Sequence, residues 1–575
     1  MMTSNRSWQI FEFLIVAMII IALPSFAFAQ ENADTTDTSN DTTSVDTDAA
    51  DTTTAPVHFI PMPDRWRSIV PPPYEINKKS KKYDPYNQNI LKGDYPIWGQ
   101  NTFFIFTATT ESFTEFAHVP TPSGISTFNP LSMDFFADGE KFFFNQNIKL
   151  TFELYHGQTA YRPRDWEIKI TPVFNLNYLN LRENNGVNIN VRKGDNRTDA
   201  HIAFQELSFE KHLFNLSDRY DFVSFKGGIQ RFSSDFRSFI FNDYNLGYRL
   251  FGNYSNNKYQ YNFIYLNLLE KETNSELNTI FEDRDQDITI FNLYKQDFLG
   301  FLGYTAEFSF HHNRDKAATH YDVNGRLVRP APIGRVREHE INAYYWGWAG
   351  EGHFGRLNIS HALYHVSGTD DFNQIAAKEI NINAQMAALE LSIDVDWMRY
   401  KVSAFYASGD DNPLDDQGKG FDAILDFPFF AGGPFSYWQQ QGIGLGGVAL
   451  VHKLSLLPSL RTNKLEGQAN FVNPGLLLLN FGYDAELTPK LKLVANMNYL
   501  RFSTTRTLEH FLNQGALDNN IGLDYSLGLI FRPFLNNNSI FTFGLAALSP
   551  FEGFKDIYET DATQLSGFMN MVFTY

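Results

Sequence analysis

The chain ends Leu565-Ser-Gly-Phe-Met-Asn-Met-Val-Phe-Thr-Tyr575. Taken two at a time, Leu565, Gly567, Met569, Met571, Phe573 and Tyr575 share one face of an extended segment. Ser566, Phe568, Asn570, Val572 and Thr574 share the other, more mixed face. Successive side chains of a strand point to opposite sides, so the first face is suited to hydrocarbon and the second to a wetter surface. A soluble sandwich can end on such a strand as well, and the preceding segments decide between the two.

Working backwards, Phe541, Phe543, Leu545 and Ala547 alternate, and Asn536-Asn-Asn538 makes a tight turn before them. Leu523, Tyr525, Leu527 and Leu529 oppose Gly522, Asp524, Ser526 and Gly528, with Arg532 in the same phase as the polar set. Leu477, Leu479, Phe481 and Tyr483 oppose Leu478, Asn480, Gly482, Asp484 and Glu486; Thr488-Pro-Lys490 turns the chain, and Leu491, Leu493, Ala495 and Met497 oppose Lys492, Asn496 and Asn498. Short turns thus alternate with the long polar gaps 503–520 and 549–563. That asymmetry is expected of a membrane-spanning antiparallel β-barrel with short periplasmic turns and long extracellular loops. The all-β transmembrane barrel is therefore the predicted fold.

The same alternation recurs upstream. Lys149 and Glu153 fall opposite Ile148, Leu150 and Phe152, and Glu167 and Lys169 fall opposite Ile168 and Ile170. Further strands are expected from near Thr102 and over 201–211, 220–233, 246–253, 258–268, 288–296, 300–312, 337–349, 355–367, 379–396, 398–408 and 442–454. Within 379–396 the apolar phase switches near Ala388, which predicts a bulge there. At roughly 50 residues per hairpin and loop, the barrel over 101–575 should hold about 18 strands, within a range of 16–20.

Composition agrees. The 575 residues include 55 Phe, 28 Tyr and 8 Trp, enough for aromatic belts at two membrane interfaces, while the mean hydropathy is only −0.30. Beyond the N-terminus no run of about 18 apolar residues exists, so no membrane helix is expected. With no Cys there is no disulfide, thiolate metal site, Cys nucleophile or lipid-modified Cys. A formal charge of −18 argues against nucleic acid as a partner.

At the N-terminus, Arg6, an apolar stretch from Ile10 to Ala22 and Ala27-Phe-Ala29 predict a signal peptide over 1–29 cleaved before Gln30. Residues 30–56, rich in Asp and Thr, predict a disordered acidic spacer. The Pro-rich 57–100 cannot supply central strands; it should either dock at the periplasmic mouth or enter the lumen as a plug. Export combined with barrel strands implies a bacterial outer membrane, with lipid as surroundings; the final aromatic resembles the signal read by the barrel assembly machinery, an expected partner during biogenesis. The Gly usual five places before that aromatic is Asn570 here.

The stretch 409–440 resists a strand reading. Its Ala407-Ser-Gly-Asp-Asp-Asn-Pro413 and Gly420-Phe-Asp422 resemble the long-loop segment of alginate-export-type outer-membrane barrels. That resemblance implies a monomeric 18-stranded pore for an anionic polysaccharide. A polyuronate path should be basic, and the inward set expected here is mixed: Lys149, Lys169, Lys492 and Arg532 with Glu153, Glu167, Asp484 and Glu486.

Asp410, Asp411, Asp415, Asp416 and Asp422 form either a solvated acidic loop or a Ca²⁺ site, though not at EF-hand spacing. Phe430, Tyr437 and Trp438, with Phe427, Phe429 and Phe435, either narrow the pore or pack on the rim. No catalytic set is expected: His311, His312, His320 and Asp315 match no motif, and Gly432-Gly433 and Gly446-Gly447 lack the strand-to-helix context of a phosphate loop. No cofactor or metal is expected beyond the possible Ca²⁺. The predicted function is porin-like passage, by diffusion or export, of polar solutes including saccharides past inward charges. The alternative is a closed structural or binding barrel that presents its loops to partners.

Overall fold

The computed structural model describes residues 82, 84, 88–120, 139–157, 163–183 and 186–575, all within one compact unit, Arg65–Tyr575. The expectations for 1–29, for 30–56 and for most of 57–100 lie outside the described residues.

Eighteen antiparallel strands form the wall. They are β1 (Thr102–His118), β2 (Glu140–His156), β3 (Trp166–Leu181), β4 (Asn196–Asn215), β5 (Phe222–Ser233), β6 (Asn242–Tyr254), β7 (Tyr259–Lys271), β8 (Asn278–Lys295) and β9 (Tyr304–Asp315). They continue as β10 (Ile341–Phe354), β11 (Leu357–Asn373), β12 (Lys378–Val395), β13 (Met398–Ala407), β14 (Leu476–Thr488), β15 (Leu491–Phe502), β16 (Asn520–Phe531), β17 (Ser539–Pro550) and β18 (Gln564–Thr574). Each pairs with its sequence neighbour, and β18 closes the ring on β1 in a register running from Thr109↔Thr574 to Ala117↔Ser566. Closure leaves no free edge, which a sheet inside hydrocarbon requires.

Alternation dictates which side each residue takes. Ile148, Phe152, Ile168, Phe174, Leu176, Leu479, Phe481 and Leu527 are exposed on the outside. Aromatic pairs ring the outer wall at two levels. Tyr400–Tyr483 and Phe541–Phe573 lie near the short turns, and Phe310–Trp346 and His312–Tyr344 lie towards the long loops. An apolar band between two aromatic belts is the outer surface of a transmembrane barrel.

Three expectations are corrected in detail. Residues 442–454 are not a wall strand; Ile443–Leu445 and Val448–Val451 pair only with each other, inside a long connection. Without that segment the ring holds the expected number. No bulge interrupts β12, which pairs in unbroken register with β13 from Met386↔Ala407 to Val395↔Met398 and with β11 through Ala388. Instead the strand crosses two environments. Ile380, Ile382, Ala384 and Met386 point inward into a buried cluster, whereas Leu389 and Ile393 point outward among the exposed apolar residues. Finally, not every connection at the long-loop end is long, since only residues 374–377 join β11 to β12.

At the short-turn end, residues 88–98 dock against the seam. Leu91 accepts a hydrogen bond from Phe106 N–H at 2.8 Å, and Lys92 Nζ lies 4.2 Å from the Tyr575 ring centroid. The Tyr575 hydroxyl donates to the Lys82 carbonyl. This part of the Pro-rich segment thus packs beside the start of β1 and the end of β18.

Candidate solute path

Among the described residues, connection 234–241, between β5 and β6, and connection 408–475, between β13 and β14 and here called the insert, fold into the lumen. The chain sends them inward because their apolar residues have no other place to go. Phe421, Trp438, Leu450, Leu460 and Phe471 are each within 1 % of fully buried. They share one cluster with the inward Ile288, Ile290, Ile341, Tyr345, Val366 and Ile380 of β8 to β12. Burying one such side chain is worth roughly 1.5–3 kcal/mol, and that gain draws the apolar residues of the insert inward.

Polar bonds tie the insert to opposite walls. On one side, Tyr345 of β10 donates its hydroxyl to the Asp422 carbonyl at 3.0 Å. On the other, Gln441 Nε2 donates to Glu115 of β1 at 2.6 Å, and Tyr437 N–H donates to Asp524 of β16 at 3.1 Å. The Ser436 hydroxyl, 2.5 Å from Asp524, caps the short helix α1 (Tyr437–Gln440) by accepting from Gln439 N–H. Because β1 and β10 stand half a ring apart, the insert crosses the lumen. The shorter connection joins it: Phe239 packs edge-on against Phe430, and Leu425 N–H donates to the Ile240 carbonyl at 3.0 Å.

The expected loop residues resolve as follows. Phe430, Tyr437 and Trp438 are buried, with the Trp438 indole N–H on the Leu456 carbonyl at 2.9 Å, whereas Phe429 is exposed. The aspartates divide. Asp410 accepts from the N–H groups of Asn412 and Lys419 at 2.9 and 3.0 Å, and burial pushes its carboxyl up to about 6. Asp411 is exposed and held low by Lys419 at 2.7 Å. Asp415 caps Gln417 N–H at 2.9 Å, and the Asp416 carbonyl accepts from Asn381 at 2.8 Å. Asp422 stands apart and deep, 2.7 Å from Arg461 Nε; burial lifts it to about 6 against the pull of that guanidinium. The histidines do not assemble. His311 points inward, His312 stacks outward on Tyr344, and His320 lies 3.5 Å from Glu466. Among the described residues, the group close enough to share a cation is His339, Asp370 and Asp371.

The expected wall charges, apart from Arg532, form ion pairs, most of them with residues that come from other strands or turns. Lys149 binds Glu111 at 2.7 Å, Lys169 binds Glu206 at 3.0 Å, and Arg164 bridges Glu153 and Glu167. Asp484 joins Lys401 at 2.8 Å and Lys492 at 3.4 Å, with Glu486 3.8 Å from Lys492. Arg532 lies just past β16 at the short-turn end, its N–H on the Lys490 carbonyl at 2.7 Å. These pairs keep water on one side: the Lys149 side chain is 36 % exposed and that of Lys492 29 %, against 4 % for Arg461 within the insert. An amide ladder runs beside them, with Asn175 Nδ2 donating to Asn147 at 2.8 Å and Asn177 Nδ2 to Asn175 at 2.9 Å.

Sequence reasoning did not single out Glu111, Glu115, Arg164 or Lys401. Glu111 and Glu115 share the phase of Phe113 on β1, and that spacing was the available signal. Their partners come from other strands and from the insert, which no local pattern specifies.

No family model and no curated protein matches the chain. Solved structures share its layout at low similarity. OccK9 (OpdG) of Pseudomonas aeruginosa is 8 % identical with a TM-score of 0.44, covering 82 % of this chain and 97 % of that one. A BenF-like porin from Pseudomonas fluorescens Pf-5 is 8 % identical at 0.43, covering 82 % and 98 %. OccAB4 of Acinetobacter baumannii is 10 % identical at 0.44, covering 83 % and 99 %. At these values the likeness transfers no residue role and no solute; the barrel stands on this chain's own strand pairing.

Proposed function

We propose that the protein is a monomeric bacterial outer-membrane channel that passes polar solutes of no net charge, saccharides foremost, through the polar side of its lumen. The observation that carries this reading is the internal pairing of wall charges that remain wet. A lumenal cation bound to a lumenal anion leaves little net field along the path, while its free lone pairs and N–H groups still exchange hydrogen bonds with a passing solute. A polyuronate route would need unpaired bases, so the alginate-export resemblance is not extended beyond the residues that carry it. Nothing in this reading calls for a nucleophile or a cofactor, and the protein is read as a channel rather than an enzyme.

The insert favours a second reading, a closed barrel whose loops bind partners, because it crosses the lumen from β10 to β1. Planar-bilayer recording separates the two. Stable conductance steps with a reversal potential near zero in a KCl gradient are expected. Insertion without steps would establish the closed barrel, and strong selectivity for one ion sign would refute the neutral path.

A further inference from the structure

The outer wall of β8 to β14 is not filled evenly. Two adjoining hollows of about 560 and 750 Å³ lie open on it, with Trp348, Leu363, Ala387 and Tyr406 common to their walls. Their floor is low because Ala387 of β12 and Ala404 of β13 present only a methyl group, in register against the bulky Tyr406 and Leu389. Phe308, Phe310 and Trp348 make the opposite bank. Lower on that bank the Tyr304 hydroxyl meets His361 Nε2 at 2.6 Å, across Gly350, where a side chain would collide with both. That bond occupies the polar atoms, so the bank stays apolar.

The groove has unlike ends. Towards the long loops it is bordered by His365 and Gln385. At the short turns it is bordered by Phe298, Leu299, Phe301 and Phe354. Two cations stand beside those rings. Lys295 holds its ammonium 5.9 Å from the Phe298 centroid, and exposed Arg356 follows Phe354 on the turn between β10 and β11. Neither has a carboxylate within ion-pair distance among the described residues, whereas Arg399 of the next hairpin is held by Asp394 at 2.5 Å. From Tyr304 to Phe310 the groove follows β9 for roughly 20 Å along a tilted strand, close to the depth of one leaflet in a hydrocarbon core about 30 Å thick. A second copy about a two-fold axis through this face would set hollow against hollow and leave the space empty. A flexible chain of methylenes fills it.

We infer that this groove holds one acyl chain of an anionic phospholipid from the leaflet at the short turns, with the lipid phosphate on Lys295 and Arg356. The inference rests on the barrel lying in a bilayer and not on its lumen being open. Dispersion along the aromatic bank retains the chain, and the two unpaired cations at the interface favour a headgroup of net negative charge over a zwitterionic one.

The test is native mass spectrometry of the full chain, extracted in detergent and offered equal amounts of phosphatidylglycerol and phosphatidylethanolamine. One phosphatidylglycerol should stay bound under activation that strips all other lipid. Ala387→Phe fills the groove and should lower that occupancy at least tenfold. Lys295→Gln combined with Arg356→Gln should keep a bound lipid and abolish the preference between headgroups. Leu527→Phe, on the outer wall of β16, should change neither, and heat-modifiable mobility on gels verifies that each variant folds. Equal retention of the two lipids by the wild type would overturn the assignment. So would occupancy unchanged in Ala387→Phe, equal loss in Leu527→Phe, or a dimer that Ala387→Phe dissociates.

Discussion

The two sides of the lumen are built on opposite principles. Along β8 to β12 the inward residues towards the long loops are Ile, Val, Ala and Tyr, and they meet the insert as two layers of a soluble domain meet. Along β1 to β4 and β13 to β15 they are Lys, Glu, Asp and Asn, and they meet water and one another. The first arrangement immobilises, because in a close-packed layer no side chain can withdraw without opening a void behind it. The second leaves a surface, since partly exposed ion pairs contribute little to stability and stay available to a solute. One ring of strands thus supplies both a scaffold for its own obstruction and the wall that the obstruction leaves uncovered.

That contrast can be broken most severely at the centre of the apolar side. Trp438→Ala should cost about 3–5 kcal/mol through the cavity it leaves. Release of the insert would follow, seen as new protease cleavage within 408–475 and a rise in single-channel conductance. If the insert stays protected, the apolar layer is not what holds it. Next comes the polar anchor of the same insert. Asp524→Ala removes the acceptor of Ser436 and Tyr437 N–H, and should cost about 1–3 kcal/mol with the wall strands intact. Exchange at Tyr437–Gln441 amides, read by mass spectrometry, should accelerate while that of β16 does not.

On the wet side the energetic effect should be smaller and the electrical effect larger. Glu111→Gln leaves Lys149 uncompensated; stability should change by less than about 1 kcal/mol, while the reversal potential shifts towards anion preference. An unchanged potential would remove Glu111 and Lys149 from the path. The gentlest probe is pH. Burial raises the Asp410 and Asp422 carboxyls to about 6, above their usual range, so the folded insert binds protons more tightly than the unfolded one. Their contribution is therefore most favourable below about pH 4 and is lost as pH rises through about 6. Corrected for intrinsic rates, amide protection over 410–422 should be higher at pH 5 than at pH 7.5, and Asp410→Asn should flatten the difference.

How much of this could be read from residues alone follows from the distance over which each feature is determined. The wall was legible because period-two alternation is local: Ile148 against Lys149, or Leu527 against Asp524, states its facing without reference to any partner. The change of phase at Ala388 was legible too, but its cause was not. A bulge and a passage from an apolar interior to an apolar exterior leave the same pattern, and only the packed insert distinguishes them. Residues 442–454 alternate as a wall strand does, yet pair inside the insert, because nothing local says which sheet a strand joins. The strand phase of charges such as Lys169 and Asp484 was legible from alternation. Their pairing was not, since Glu206 and Lys401 approach from separate strands. The insert's path depends on contacts such as Gln441 with Glu115, 326 positions apart, and no window of sequence holds both.

The closing seam sets a condition on assembly. Thr109 of β1 meets Thr574 at a separation of 465 positions, and Tyr575 fastens against Lys82 and Lys92 beside it. A contact of that span cannot form until both end strands have been made, so the ring closes late, however early its hairpins arise. Up to that moment two strand edges stay open. Tyr575 is then a latch in time as well as in space, and loss of β18 would leave a curved sheet with both edges exposed.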